Sequence, residues 1–391
     1  MAAGGREPVS GSDSRRAPSV AADGRLRVTY SLTLDAGESP EAKARGIAFE
    51  QTVELPEGRV PADLVNEVVG RVESVEAAGD GKWQTRISYS ADLAGGNFSQ
   101  LMNLLYGNIS LLSGIRLVAV GWPADLLAAI AGPTHGVQGL RSLCGVQERR
   151  PLTCAVAKPL GLSPRQLAEL AGEMARAGVD IIKDDHSLAD QPAAPFRERI
   201  TMCQAAVEEA NRAEGTSARY FPSLGGGGRM LRERVGHLQE VGCRGAVVMP
   251  FHSGLDTVAG LAYESELALL AHPSGSGVLF GAEHGVAPEV YLGQVLRLAG
   301  CDAVIYPHAG GRFRMDESTA GAIRSNLLAE LGTLRPSAPA PGGSIDPARL
   351  QGWFRLYGPD SVFVVGSSVI RAEDPRRAAE KWVATVRSAF V

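Results

Sequence analysis

The segment GVDIIKDDH (178–186) runs an apolar stretch directly into a lysine, two aspartates and a histidine. Side chains alternate along a strand, so Lys183 and Asp185 share one face, Asp184 takes the other, and His186 lies just past the strand. A buried lysine beside carboxylates is the pattern of an ion pair. Asp and His are also ordinary metal ligands, whereas an ammonium is not. A lysine joins such a site when CO2 adds to its neutral amine and leaves a carbamate with anionic oxygens. The sequence alone leaves both readings open. Two other apolar runs end in residues able to move protons: LTCAVAK (152–158) in Lys158 and LALLAH (267–272) in His272. A lysine whose pKa is lowered by burial or a nearby cation is a general base. A histidine shuttles a proton or stabilises a developing oxyanion, or is simply a satisfied structural group. Small residues close two further runs, Gly342, Gly343 and Ser344 in one and Gly366 and Ser367 in the other, and Arg312 follows Gly310 and Gly311.

These residues need a scaffold that brings several strand ends together. From about residue 150, short apolar runs alternate with helical segments such as SPRQLAELAGEMARAG (163–178), with Ser163 as cap and Gly178 at the end. Runs at 152–158, 179–183, 218–224, 245–250, 267–272, 302–307 and 361–368 read as strands, and PAPGGSI (near 338–345) supplies an eighth. That alternation predicts a (β/α)8 TIM barrel over 150–391, whose chemistry sits at the C-terminal ends of its strands. Residues 25–142 mix strands (25–34, 82–91, 114–123) with helices (39–51, 95–112) without strict alternation, which predicts a small α+β domain. Residues 1–24, rich in Gly, Ser, Ala, Pro and Arg, read as a disordered tail.

The 391 residues are 45% hydrophobic and 21% charged with a net charge of −4, so a large core is affordable and no nucleic-acid partner is indicated. No apolar stretch is long enough to span a bilayer, and no secretory signal opens the chain, so a cytoplasmic location is expected. The five cysteines are scattered, with no CxxC pair, and read as buried free thiols. GGGGR (225–229) lacks the lysine–serine of a nucleotide-binding loop.

From residue 25 onward the chain resembles the RuBisCO superfamily, specifically its RuBisCO-like branch. The resemblance rests on FEQT (49–52), YGNISLLSGIRL (106–117), GPTHGVQGLR (132–141), AKPLGLSP (157–164), GVDIIKDDH and AHPSGSG (271–277), in the family's order. It implies a ferredoxin-like N-terminal domain ahead of the barrel. It implies a homodimer in which Glu50 and Asn108 of one chain complete the rim of the other. Lys183 would be carbamylated and, with Asp185 and His186, would hold Mg2+, or Mn2+ or another divalent metal. Lys158 would be the base, His272 the active-site histidine, and Gly342, Gly343, Ser344, Gly366 and Ser367 would surround a substrate phosphate near Arg312. The departures argue against CO2 fixation. His186 stands in place of a glutamate, Leu160 in place of a second lysine, no Thr-Trp pair follows EQT, and the loop HAGGRF is short. What the resemblance then implies is an enolate-forming enzyme on a phosphorylated keto sugar or 3-oxo sugar acid. Decarboxylation or carbon–carbon hydrolysis of a sugar-acid phosphate is the first expectation. Enolisation or isomerisation in methylthioribulose salvage is the second, and a non-catalytic binding or regulatory barrel the third.

Overall fold

The computed structural model describes residues 18–21, 23–343 and 350–389. The strands are β1 Ser19–Ala21, β2 Arg25–Thr33, β3 Arg71–Gly79, β4 Lys82–Ser90, β5 Ile115–Pro123, β6 Leu152–Ala157, β7 Ile181–Asp184 and β8 Arg219–Phe221. They continue with β9 Gly245–Val248, β10 Ala268–Ala271, β11 Gly285–Val286, β12 Ala303–Pro307, β13 Ala338–Gly342 and β14 Val362–Val365.

In the N-terminal domain the central strands run in the order β5-β2-β4-β3, the ferredoxin-like arrangement. β2 buries every second residue, and Leu26, Val28, Tyr30 and Leu32 form the core face. Helices Pro40–Glu50 and Phe98–Tyr106 bring Ile47, Leu101, Leu104 and Leu105 into the same core. Ser39 caps the first helix by accepting from the Ala42 N–H, as its position before Pro40 predicts. The helix expected over 95–112 is interrupted at Gly107, and Asn108–Leu111 continues as a tighter turn. The expected tail is corrected at its end: Ser19–Ala21 is a strand that pairs in parallel with Gly121–Pro123. β5 had a free edge whose backbone groups need partners, and composition does not reveal that demand.

The barrel strands are short and buried on both faces, as in parallel sheets covered by helices. β14, β6, β7 and β8 form one hydrogen-bonded parallel set, and β9, β10, β12 and β13 the other. A parallel bridge from Ser223 to Val247 joins the sets on one side, and β13 lies against β14 on the other. The strand expected in the Pro- and Gly-rich run near 338–345 is β13, Ala338–Gly342. Residues of all eight barrel strands, among them Cys154, Val156, Ile181, Phe221, Val247, Leu270, Ile305, Ala340 and Val364, fill the interior. Val137 and Leu140 of helix Gly136–Leu143 belong to that interior cluster. The Asp302 carboxylate, between β10 and β12, accepts from the backbone N–H groups of His135 at 2.6 Å and Gly136 at 2.7 Å. This helix therefore packs with the barrel. A helix of mixed polarity near a domain junction carries no mark of which core it joins.

Candidate active site

A cavity of about 650 Å³ opens at the C-terminal ends of the barrel strands. Lys158, Lys183, Asp185, His186, His272, Arg312, Gly342, Gly343 and Gly366 all line it. Ser344 lies outside the described residues, as does the side chain of Ser367.

Strand alternation does the positioning. Lys183 and Asp185 face the cavity. Asp184 turns outward, where its carboxylate accepts from Tyr220 Oη at 2.7 Å, the Ser223 N–H at 3.0 Å and Arg199 Nε at 3.2 Å. Those partners account for Asp184, so Lys183 is not its counter-ion. Lys183 Nζ instead donates to the Asp184 backbone carbonyl at 2.6 Å. The lysine is only 2% exposed. Burial, reinforced by Lys158, holds its pKa below the ordinary lysine value against the pull of neighbouring acids.

Burial pushes Asp185 upward, yet hydrogen bonds from the Ser187 N–H (3.1 Å) and hydroxyl (2.8 Å), aided by Lys183 and His186, outweigh it and hold the carboxyl below its usual range. His186 Nδ1 lies 3.3 Å from Asp185 Oδ1. Burial, with the lysines nearby, lowers the His186 pKa and keeps its ring neutral. His272 stacks on His186 with ring centroids 3.7 Å apart. Burial first, then Lys183 and His186, push His272 down to about 2. The Ser274 N–H donates to His272 Nδ1 at 3.2 Å, so the ring proton resides on Nε2.

A Cβ built on Gly366 would stand 2.9 Å from Lys158 Nζ. Glycine at the end of β14 is thus what leaves room for the base candidate. Among the described residues no three His, Cys, Asp or Glu side chains are grouped to hold a metal ion. Asp185 and His186 provide two donors, and Lys183 can provide the third only as a carbamate. Its depressed pKa favours the neutral amine that reacts with CO2, so the set fits a divalent cation on that condition.

Glu50 and Asn108 do not line this cavity; Asn108 Nδ2 donates to Glu50 Oε1 at 3.0 Å within the N-terminal domain. The sequence reading missed Arg314, Phe280, Phe313 and Met315, which do line it. Arg314 stands two residues beyond Arg312 in GGRFRM and was findable there. Phe280 carries no such sign.

Residues 136–370 match the family described as ribulose bisphosphate carboxylase large chain, catalytic domain. A 5-methylthioribulose-1-phosphate isomerase of Rhodospirillum rubrum is 39% identical over 93% of this chain and 96% of its own length. A 2,3-diketo-5-methylthiopentyl-1-phosphate enolase of Geobacillus kaustophilus is 30% identical over 84% of this chain and 83% of its own. The crystal structure of a Rubisco-like protein from Rhodopseudomonas palustris superposes with a TM-score of 0.85 at 35% identity, covering 94% of this chain and 98% of that one.

Proposed function

This chain belongs to the RuBisCO large-chain family, as a RuBisCO-like enzyme, and on that premise we propose that it isomerises a 5-methylthio-pentulose 1-phosphate through an enolate. Three features support this reading, and the first of them favours it over the first expectation, decarboxylation or carbon–carbon cleavage of a sugar-acid phosphate. The relatives at 39% and 30% identity carry isomerase and enolase names in thiosugar chemistry. The cavity holds a base candidate, a neutral proton donor and an anion-friendly glycine rim. The lysines that a carboxylase sets around CO2 are absent: Leu160 stands at one position, and the short HAGGRF loop carries Arg312 instead. The observation that carries most weight is the common cavity of Lys158, Lys183, Asp185, His186 and His272.

The residues divide the work as follows. Gly342, Gly343 and Gly366 leave backbone N–H groups close to a phosphate, and Arg312 adds charge. Lys183, once carbamylated, would join Asp185 and His186 in holding Mg2+ or a similar cation. That cation would supply Lewis-acid polarisation of the substrate carbonyl. Lys158 Nζ takes the proton from the carbon beside the carbonyl, and isomerisation returns a proton at another carbon of the same skeleton. His272 donates Nε2–H towards the oxygen that gains charge. Glu50 and Asn108, held together on the N-terminal domain, would complete the site of a partner chain in a homodimer.

The test is an NMR assay of 5-methylthioribulose 1-phosphate with Mg2+ and bicarbonate, alongside phosphorylated sugar acids monitored for CO2. Isomerised pentulose without CO2 is expected. Release of CO2 from a sugar acid, with the thiosugar untouched, would restore the first expectation.

A further inference from the structure

The cavity has two chemically different ends. At β13 and β14 lie Gly342, Gly343 and Gly366. The Phe313 ring sits 3.6 Å from where a Cβ on Gly343 would be, and the Arg312 guanidinium stacks 4.5 Å above that ring. One cation is thereby fixed beside the glycine rim. At the end of β10 the character changes. The lining segment Pro273–Phe280, PSGSGVLF, contains no ionisable side chain. Phe280 and Met315 both line the cavity and pack their remaining surface against the hydrophobic core. Phe280 is steadied by Tyr291, with ring centroids 6.3 Å apart.

We propose that Phe280, with Pro273 and Met315, forms an apolar subsite that receives the alkylthio end of the substrate. It is the element that selects a monophosphate thioether over a hydroxylated or doubly phosphorylated pentulose. The inference rests on the thiosugar reading and assigns its specificity to particular side chains. A thioether sulfur against an aromatic edge is favourable, and methionine adapts its shape to such a guest. A second phosphate would lose its water against 273–280 without meeting a cation on that segment, although Arg314, beside Met315, also lines the cavity, so the comparison with a bisphosphate includes its pull. A terminal hydroxyl would be left without a partner of comparable quality.

Unreactive polyols separate this subsite from the chemistry, because they carry no carbonyl to enolise. Calorimetry would compare 5-methylthioribitol 1-phosphate, ribitol 1-phosphate and ribitol 1,5-bisphosphate on the full-length protein. The wild type should bind the thioether at least ~10-fold more tightly than ribitol 1-phosphate, the scale of discrimination an apolar pocket achieves. Phe280→Ala should bring the two within about threefold by weakening the thioether alone, and Phe280→Leu should keep most of the preference. Unchanged ribitol 1-phosphate affinity shows that the cavity is still formed. Equal affinities in the wild type, equal weakening of both ligands by Phe280→Ala, no thioether binding, or tighter binding of the bisphosphate would each overturn the proposal. Failure to turn over the keto substrate would instead strike the isomerase reading and leave this comparison standing.

Discussion

Lys183 answers to two opposing demands. A buried ammonium with one backbone acceptor is expensive, and its depressed pKa records that expense. The unfolded chain keeps the lysine protonated up to about its ordinary 10.5, whereas the folded chain releases the proton at lower pH. Stability therefore rises with pH across that interval, and the cost is present at neutral pH. Lys183→Met should raise the melting midpoint by a few degrees at pH 7.5 while abolishing turnover. The gain should shrink as pH approaches 10.5; a lower midpoint in thermal scans would contradict the reading. Gly366 bears on the same site from the other side. A methyl group placed 2.9 Å from Lys158 Nζ must displace that amine. Gly366→Ala should cost kcat roughly 100-fold, the scale of a small misplacement of a reacting group, with little change in melting midpoint. Unaltered kcat would show that the amine position is not critical.

At the level of elements, β7 is held from behind. Asp184 faces away from the cavity and is anchored by Tyr220, Arg199 and Ser223, so the strand tip that presents Lys183 and Asp185 has a fixed register. Tyr220→Phe removes a 2.7 Å donor from a fully buried carboxylate. It should cost about 1–3 kcal/mol of unfolding free energy in denaturant titrations, and lower kcat as the tip loosens. A neutral outcome would mean water or Arg199 replaces the hydroxyl. Elements of this kind differ in how readable they are. β7 showed itself because charged residues abruptly ended an apolar run, and β10 showed His272 for the same reason. β3 was invisible: most of Arg71–Gly79 is exposed, so no apolar alternation marks it. GPTHGVQGLR (132–141) was legible as a motif but not as a helix packed with the barrel, because Asp302 docks Gly136 from 166 residues away in sequence. Phe280 and Arg314 reach the cavity through loops whose course depends on tertiary packing, and periodicity does not register that.

At the scale of the whole molecule, the two domains are stitched by backbone groups as well as by packing. The Asp256 carboxylate, on barrel helix Leu255–Glu264, accepts from the Phe98 N–H at 2.8 Å and the Ser99 N–H at 2.9 Å. These are the free donors at the start of helix Phe98–Tyr106, so a barrel residue caps a helix of the N-terminal domain. β11, from the loop after β10, adds to the N-terminal sheet beside β5. The N-terminal domain is thereby oriented while Glu50 and Asn108 stay outside its own chain's cavity. Leu111, 85% exposed, lies just beyond Asn108. If Glu50 serves a partner's cavity, Glu50→Gln and Lys183→Ala should each be inactive alone. Mixed and re-equilibrated, they should regain about a quarter of wild-type activity: half the dimers are hybrid, and each hybrid holds one intact site. No recovery in mixtures shown to exchange subunits would contradict the shared site.

The central claim, that Lys158 draws a proton from the carbon beside a substrate carbonyl, is tested most directly by deuterium. The wild type with Mg2+ and bicarbonate in D2O should place solvent deuterium into 5-methylthioribulose 1-phosphate or its product, as seen by loss of one carbon-bound proton signal. Lys158→Ala should show no such incorporation while binding the divalent cation as before. Incorporation at the wild-type rate in Lys158→Ala, or none in the wild type, would contradict the account.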